Sequence, residues 1–452
     1  MSKVTVRDMT EGTEWKHIVA FAFPLFIGNI FQQLYNTVDS VVVGNFVGAD
    51  ALGAVTSTIP VVFTLIGLFI GFTMGASVVI SQFFGAKDII NLRKATHTAV
   101  LSTVIIAIIL SLIGYAITPW LLEMMNTPES VMREAVIYLQ IFSAGLIGLM
   151  LYNMGSAILR AVGDSKRPLY FLILSSVLNI ILDLVFVIYF HWGVAGVAWA
   201  TIISQFVSGL IIFALLFKSH EPHSLSWREM RIDTKILKRI ILNGLPSGLQ
   251  LAITGFSNVF VQAYINAYGA ASTSGWGIYS RIDAFVILPI QSMAMSTTTF
   301  VGQNAGARKP ERIRKGVRES MTISIGITFL IVALLYISAP FIVSLFNRDE
   351  QVLLYGVLFL RLNSIFDPVN VTNQIQAGAL RGVGDAQTPM FIMIGSFVIF
   401  RQIYLFIISR LTSSIYPIAL GYPIGWIVCS LLMFWHIKRS GWDKKISRLA
   451  MR

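Results

Sequence analysis

Twelve stretches of this chain are each long and apolar enough to cross a bilayer as a helix, and no other feature limits the fold so tightly. They run at roughly 15–43, 52–82, 94–117, 132–157, 168–190, 194–217, 237–267, 275–301, 315–338, 352–378, 388–409 and 414–437. A hydrocarbon core of about 30 Å needs about 20 apolar residues in helix. The composition agrees, with 55% of the 452 residues hydrophobic, 12% charged and a mean hydropathy of +0.74. A soluble domain carries about 25% charged residues. The one cysteine, Cys429, lies inside an apolar run, which excludes a disulfide framework or a cysteine metal site. The first fourteen residues are polar and of mixed charge, without the apolar core and cleavage site of a secretory signal.

A net charge of +12 invites a nucleic-acid reading, and the placement of the charges argues against it. With the N-terminus assigned to the cytoplasm, 28 of the 34 Lys and Arg residues fall on that side. Only Arg133, Arg348 and Arg410 fall on the other, while Arg281, Arg361 and Arg401 lie within apolar segments. Such asymmetry sets membrane orientation and contacts anionic headgroups. It predicts an even number of spans, both termini in the cytoplasm, and a bacterial inner-membrane location.

The chain is also a repeat. Leu159-Arg160-Ala161-Val162-Gly163-Asp164 with Pro168 returns 221 residues later as Leu380-Arg381-Gly382-Val383-Gly384-Asp385 with Pro389. At the same spacing Gln82, Gly85 and Ala86 match Gln303, Gly306 and Ala307. Pro119 matches Pro340, Asn126 matches Asn347 and Gly48 matches Gly269, whereas Pro24 pairs with Pro246 one residue out of step. Six spans per copy bring both copies in from the same side. The expected architecture is therefore an all-α membrane protein of 12 transmembrane helices in two six-helix lobes. A pseudo-two-fold axis along the membrane normal relates them. The lobes are expected at 15–217 and 237–437, with a cytoplasmic linker at 218–236.

These residues resemble the multidrug and toxic compound extrusion (MATE) family. The matching pieces are Val38-Asp39 followed by Gly44 and Gly48, Gln82 with Gly85-Ala86, Leu159-Arg160 with Gly163-Asp164, and Val301-Gly302-Gln303-Asn304 with Gly306-Ala307. The likeness covers about 15–437. It implies two lobes that alternate access and export organic cations or amphiphiles against inward H⁺ or Na⁺.

Ionisable groups inside a bilayer are costly, so each is a candidate site. Asp39 shares a helical face with Gln32, Tyr35 and Asn36, a cavity lining unless Asp39 is merely hydrated near the external end. Asn179 and Asp183 stand four apart on the fifth span, and Thr201 offers a hydroxyl across a short hairpin. Two carboxylates, an amide and a hydroxyl form a hard oxygen set suited to Na⁺, and the same two carboxylates could share a proton. A structural polar clamp between helices is the plainer alternative. In the DinF-like branch that the resemblance favours, acidic residues at the positions of Asp39 and Asp183 form a cation site in the N-lobe, and Asn179 and Thr201 match other members of it. Pro24, inside the first span, removes a helical hydrogen bond. The resemblance implies a bend there that reports on site occupancy, and a permanent kink is the alternative.

The second lobe departs from the NorM-like pattern, whose glutamate and aspartate positions fall on Thr254 and Asn370. Asp283 and Asp367 remain, close in sequence to Arg281 and Arg361. With Asn370 they form a polar site that either pairs ions structurally or contacts a cationic substrate. Gly163-Asp164 and Gly384-Asp385 lack a phosphate-loop pattern and read as helix stops and caps.

The reading is a secondary-active antiporter that needs no cofactor and works as a monomer in the lipid bilayer on small organic cations and amphiphiles. Its substrate surface is expected from Tyr35, Asn36, Asn153, Phe256 and Met293, aromatic and soft side chains that re-pack around many ligands. Two other readings compete. A lipid-linked oligosaccharide flippase predicts more Arg and Lys in the helices than the three Arg against four Asp present. A membrane-embedded lipid-modifying enzyme needs a catalytic constellation, and no such motif occurs.

Overall fold

The computed structural model describes residues 7–439 except Asn126, and the side chains of these apart from residues 49, 50, 52, 59, 60 and 63–65. The repeat partner of Asn347 and the basic tail beyond Arg439 lie outside the described residues. Those residues form helices and no strand.

The first copy of the repeat comprises α1 (Glu14–Val42), α2 (Ala49–Gly85), α3 (Ile89–Met124), α4 (Glu129–Ala144), α5 (Leu146–Ala161), α6 (Lys166–Leu184) and α7 (Gly193–Lys218). The second comprises α8 (Thr234–Asn266), α9 (Ala270–Gly306), α10 (Pro310–Ser344), α11 (Glu350–Ser364) and α12 (Asp367–Gly382). It continues through α13 (Gln387–Ile394), α14 (Arg401–Leu411), α15 (Ile415–Ala419) and α16 (Gly421–Arg439). Every expected span coincides with a helix or a helix pair. The fourth and tenth are not single helices, because α4 and α5, and likewise α11 and α12, meet at 47°. In the second pair Pro368 opens α12 and cannot extend the preceding ladder. In the first, Gly145 stands at the break, where a Cβ would lie 2.3 Å from the Ile202 side chain. Sequence hydropathy reads each pair as one span.

The repeated motif is a helix stop and start. Gly163 and Gly384 take φ of 87° and 88°, a left-handed conformation that favours glycine. Asp164 Oδ1 then accepts hydrogen bonds from the Lys166 and Arg167 amides at 3.0 and 3.1 Å, and Asp385 Oδ1 accepts one from Thr388 at 3.2 Å. The cap reading is correct in both copies.

The chain divides into two compact units whose boundaries fall inside helices. One holds Pro24–Gly248; the other holds Met9–Phe23 with the chain from Leu249 onward. Both α1 and α8 therefore change unit along their length, beside Pro24 and Pro246. In the first unit the core gathers Phe69, Ala76, Ile80, Ala99, Met150 and Ile158. The start of α8 packs there at backbone range, since a Cβ on Gly75 would stand 2.3 Å from the Ile240 carbonyl oxygen. Only glycine permits that approach. The expected linker is docked on α3 of this unit: the Ser226 amide donates to His97 Nε2 at 2.9 Å, and the Asp233 amide to Thr98 Oγ1 at 3.0 Å. In the second unit the core centres on Trp276, Tyr279, Phe359 and Leu405. Residues 9–14 are tied there to the start of α10. Arg312 donates to the carbonyl oxygens of Gly12 and Met9 at 2.7 and 3.1 Å and pairs with Glu14 at 3.3 Å.

Candidate functional site

α1 and α6 bring Asp39 and Asp183 together in the first unit. The two carboxyl groups lie in hydrogen-bonding contact. Asp183 is fully buried and Asp39 half-buried. Asp39 Oδ1 and both Asp183 oxygens are shielded from solvent and accept no hydrogen bond from a donor among the described residues. Two carboxyl groups in contact with no protein donor between them favour a shared proton or a bound cation.

The rest of the expected set lies on α6 and α7. Asn179 stands one turn before Asp183 on α6, is 2% exposed, and donates through Nδ2 to Thr201 Oγ1 on α7 at 3.5 Å. Its Oδ1 is buried without a partner. Thr201 turns its own hydroxyl back to the Val197 carbonyl at 3.0 Å, which leaves one oxygen lone pair beyond the one that accepts from Asn179. Tyr35 and Tyr138 lie within electrostatic range of both carboxyl groups. Unsatisfied buried oxygens on Asp39, Asp183 and Asn179 make the donor set fit a hard monovalent cation as well as a proton. Among the described residues no cluster of three acidic, histidine or cysteine side chains suits a transition metal.

Local backbone irregularity marks the same place. A π-helical turn, Val43–Val47, begins four residues after Asp39, and another, Val185–Tyr189, begins two residues after Asp183. A third, Gly395–Phe400, runs directly into Arg401. Such turns recur at functional sites because the extra residue re-aims neighbouring side chains and frees carbonyl groups. Sequence reading missed all three, and it missed Tyr138 and Gln205. Gln205 stands one turn beyond Thr201 with a buried Oε1 that has no partner, a spacing that is visible in the sequence.

Other expected site residues are more dispersed. Pro24 is buried within a continuous α1. Asn36 is exposed, and Asn153 donates to the Leu149 carbonyl on its own helix at 2.8 Å. Phe256 is 67% exposed and packs edge-on to Phe260 at 5.3 Å. Met293 is only 5% exposed and belongs to the packed interior of the second unit.

The polar cluster of the second unit is not an ion-pair network. Tyr279 donates to Asp283, Asp367 lies within electrostatic range of Asp283, and Asn370 is 4% exposed with an unpartnered Oδ1. Arg361 instead donates to the Tyr336 carbonyl at 3.0 Å, and Arg281 points away on another face of α9, so the ion pairs expected from sequence proximity do not form. Residues two apart on a helix face different directions. Arg401, missed as a partner, reaches Ser257 and Asn258 at 2.9 and 2.8 Å and lies over the Tyr422 ring.

Comparison with known proteins follows the repeat. The MatE family model matches twice, at residues 24–185 and 246–407, beginning each time at one of the paired prolines. Two Bacillus subtilis proteins described as probable multidrug resistance proteins, YoeA and YpnP, are 29% and 28% identical over 443 and 440 residues. Each alignment covers 96% of this chain, with 96% of YoeA and 97% of YpnP. Among solved structures, a MOP superfamily transporter from Pyrococcus furiosus superposes with a TM-score of 0.91 at 25% identity, covering 99% of both chains. A MATE transporter in a bent conformation gives 0.90 at 26%, covering 97% of this chain and 98% of that one. The chain therefore belongs to the MatE family, and it is a membrane transporter rather than an enzyme.

Proposed function

We propose that this chain is a secondary-active multidrug antiporter, exporting cationic or amphipathic compounds by alternating access in exchange for H⁺ or Na⁺. It acts as a monomer of the bacterial inner membrane, with both termini in the cytoplasm. The observation that carries the coupling is the contact between Asp39 and Asp183 with no donor among the described residues. Such a pair holds one proton or one small cation, and loses affinity for it once the helices part. Helix α1 is suited to transmit that change, because it carries Asp39 in one unit and has its first ten residues, before Pro24, in the other. Bending at Pro24 then links ion occupancy to access, as in the DinF-like branch.

The energetics are adequate. One charge crossing about 100 mV supplies about 2.3 kcal/mol, and a tenfold ion gradient adds about 1.4 kcal/mol. Together they sustain a few-hundred-fold gradient of a neutral substrate per ion. Tyr35, Asn36, Asn153 and Phe256 provide the aromatic and amide surface for substrates; Asp283, Asp367 and Asn370 provide a second polar site, assigned here to stability and substrate affinity. Dye efflux from proteoliposomes under separately imposed pH and Na⁺ gradients tests the proposal. Export under neither gradient contradicts it.

A further inference from the structure

Arg281, Arg361 and Arg401 lie within apolar helical segments of the second unit, and the last two have protein partners. Arg361 is held by the Tyr336 carbonyl and ring, and Arg401 by Ser257, Asn258 and Tyr422. Arg281 makes no ion pair or hydrogen bond with the described residues. It instead lines an open cavity of about 270 Å³ together with Ser274, Gly277, Ile278, Phe346 and Asn347. We propose that this cavity binds a phosphate anion, supplied by the headgroup of an anionic phospholipid.

The lining has the chemistry for it. Arginine is always charged and presents a planar fork of N–H donors that matches phosphate oxygens. Asn347 Oδ1 already accepts the Asp349 amide at 2.8 Å, which leaves its Nδ2 donors for a ligand. Ser274 adds a hydroxyl, and no acidic residue lines the cavity. Gly277 leaves the floor open, since a Cβ there would meet nothing within 4 Å. The remaining wall is apolar: Ile278, and Phe346, which is 49% exposed. Charge, donors and apolar side chains around one small space suit a phosphodiester with its acyl chains better than a free ion.

Position supports the same occupant. Arg281 is the twelfth residue of α9, about 17 Å along a helix rising 1.5 Å per residue. Phe346 and Asn347 follow the end of α10, opposite the Lys/Arg-rich turn between α9 and α10. The cavity thus sits toward the boundary of the leaflet facing away from those charges, where a long basic side chain reaches headgroups. Calling that leaflet the outer one rests on the orientation proposed above. The cavity itself does not depend on it.

The test is titration calorimetry on the full chain in dodecyl maltoside micelles. The probes are dioctanoyl phosphatidylglycerol, dioctanoyl phosphatidylcholine and inorganic phosphate, added separately. Phosphatidylglycerol should bind at one site and tighter than phosphatidylcholine, Arg281→Gln should weaken it at least tenfold, and Arg281→Lys should weaken it less. Millimolar phosphate should neither bind nor compete. If phosphate alone binds and Arg281→Gln removes it, the anion site stands and a free anion replaces the lipid as its source. Binding of no probe, or phosphatidylglycerol binding unchanged in Arg281→Gln, overturns the proposal. Asn347→Ala, expected to weaken binding severalfold, serves if Arg281→Gln does not yield folded protein. Because no gradient is applied, failure here is separate from failure of the antiport reading.

Discussion

Asp39 on α1 and Asp183 on α6 touch through their carboxyl groups in a pocket where no donor among the described residues serves Asp183. A site built this way favours a positive charge from outside the protein. The side-chain oxygens of Asn179, one turn before Asp183, and of its partner Thr201 are suited to accept a cation or stabilise a shared proton, and neither carries a charge of its own. Asn179→Ala should therefore separate the two ions: it removes a ligand that Na⁺ needs and a proton does not. Ion-driven efflux of Asn179→Ala should fall at least tenfold under a Na⁺ gradient, or change less than threefold under a pH gradient. Equal loss under both gradients would make Asn179 a structural clamp.

The orientation is checked by thiol labelling in a Cys429→Ser background. Ser226 is half-buried with its amide held by His97, so exposed Arg228 is the better reporter on the linker. Arg228→Cys should resist an impermeant maleimide in intact cells and react after permeabilisation, whereas exposed Ser413→Cys should react in both. Labelling of Arg228→Cys from outside would reverse the topology.

The linker also contains a pH-sensitive contact. His223 is fully buried, neither ring nitrogen has a partner, and burial with the Arg167 charge lowers its pKa from 6.5 to about 4. Its folded pKa lies below its unfolded one, so the neutral ring contributes full stability above pH about 6.5 and loses it as pH falls toward 4. By linkage this amounts to about 3 kcal/mol at most. Thermal unfolding of the wild type should fall more steeply between pH 6.5 and 4 than that of His223→Leu. Parallel curves would show that the ring takes up its proton in the folded protein as readily as in the unfolded chain.

Gly163 is required by two independent constraints. Its φ is 87°, and a Cβ would stand 2.1 Å from the Arg7 carbonyl oxygen. Gly163→Ala should destabilise by about 1–3 kcal/mol. Gly326→Ala, where a Cβ meets nothing within 4 Å, should be neutral or slightly stabilising because it lies within helix α10. Equal melting temperatures for the two variants would remove Gly163 from the account.

Much of this fold was legible because a bilayer imposes helix length directly on the sequence. The two-copy plan was legible because Gly163 and Gly384, and their capping aspartates, must recur wherever the same helix stop recurs. Asp39, Asp183, Asn179 and Thr201 stood out in the sequence because polar groups are rare in such helices. What stayed hidden has a weak one-dimensional signal or none. The break at Gly145 interrupts no apolar run, and the one before Pro368, though marked by Asp367-Pro368, lies inside a segment still apolar enough to be read as one span. The π-helical turns after Asp39 and Asp183 add a residue to a helix of ordinary composition. Sequence proximity also misled, placing Arg281 and Arg361 beside Asp283 and Asp367, although neighbours on a helix point in different directions. The burial of Met293 depends on packing that hydropathy cannot resolve.

The central claim, that coupling resides in the Asp39–Asp183 pair, is tested most directly by gradient-driven dye efflux from proteoliposomes. Asp39→Asn and Asp183→Asn keep side-chain size and hydrogen-bonding capacity while removing the titratable charge. Each should abolish efflux driven by a pH or Na⁺ gradient while the protein remains folded and still binds dye. Asp283→Asn and Asp367→Asn should lower stability or dye affinity and leave coupling in place. Efflux that survives both changes in the first unit but is lost with either change in the second would contradict the account.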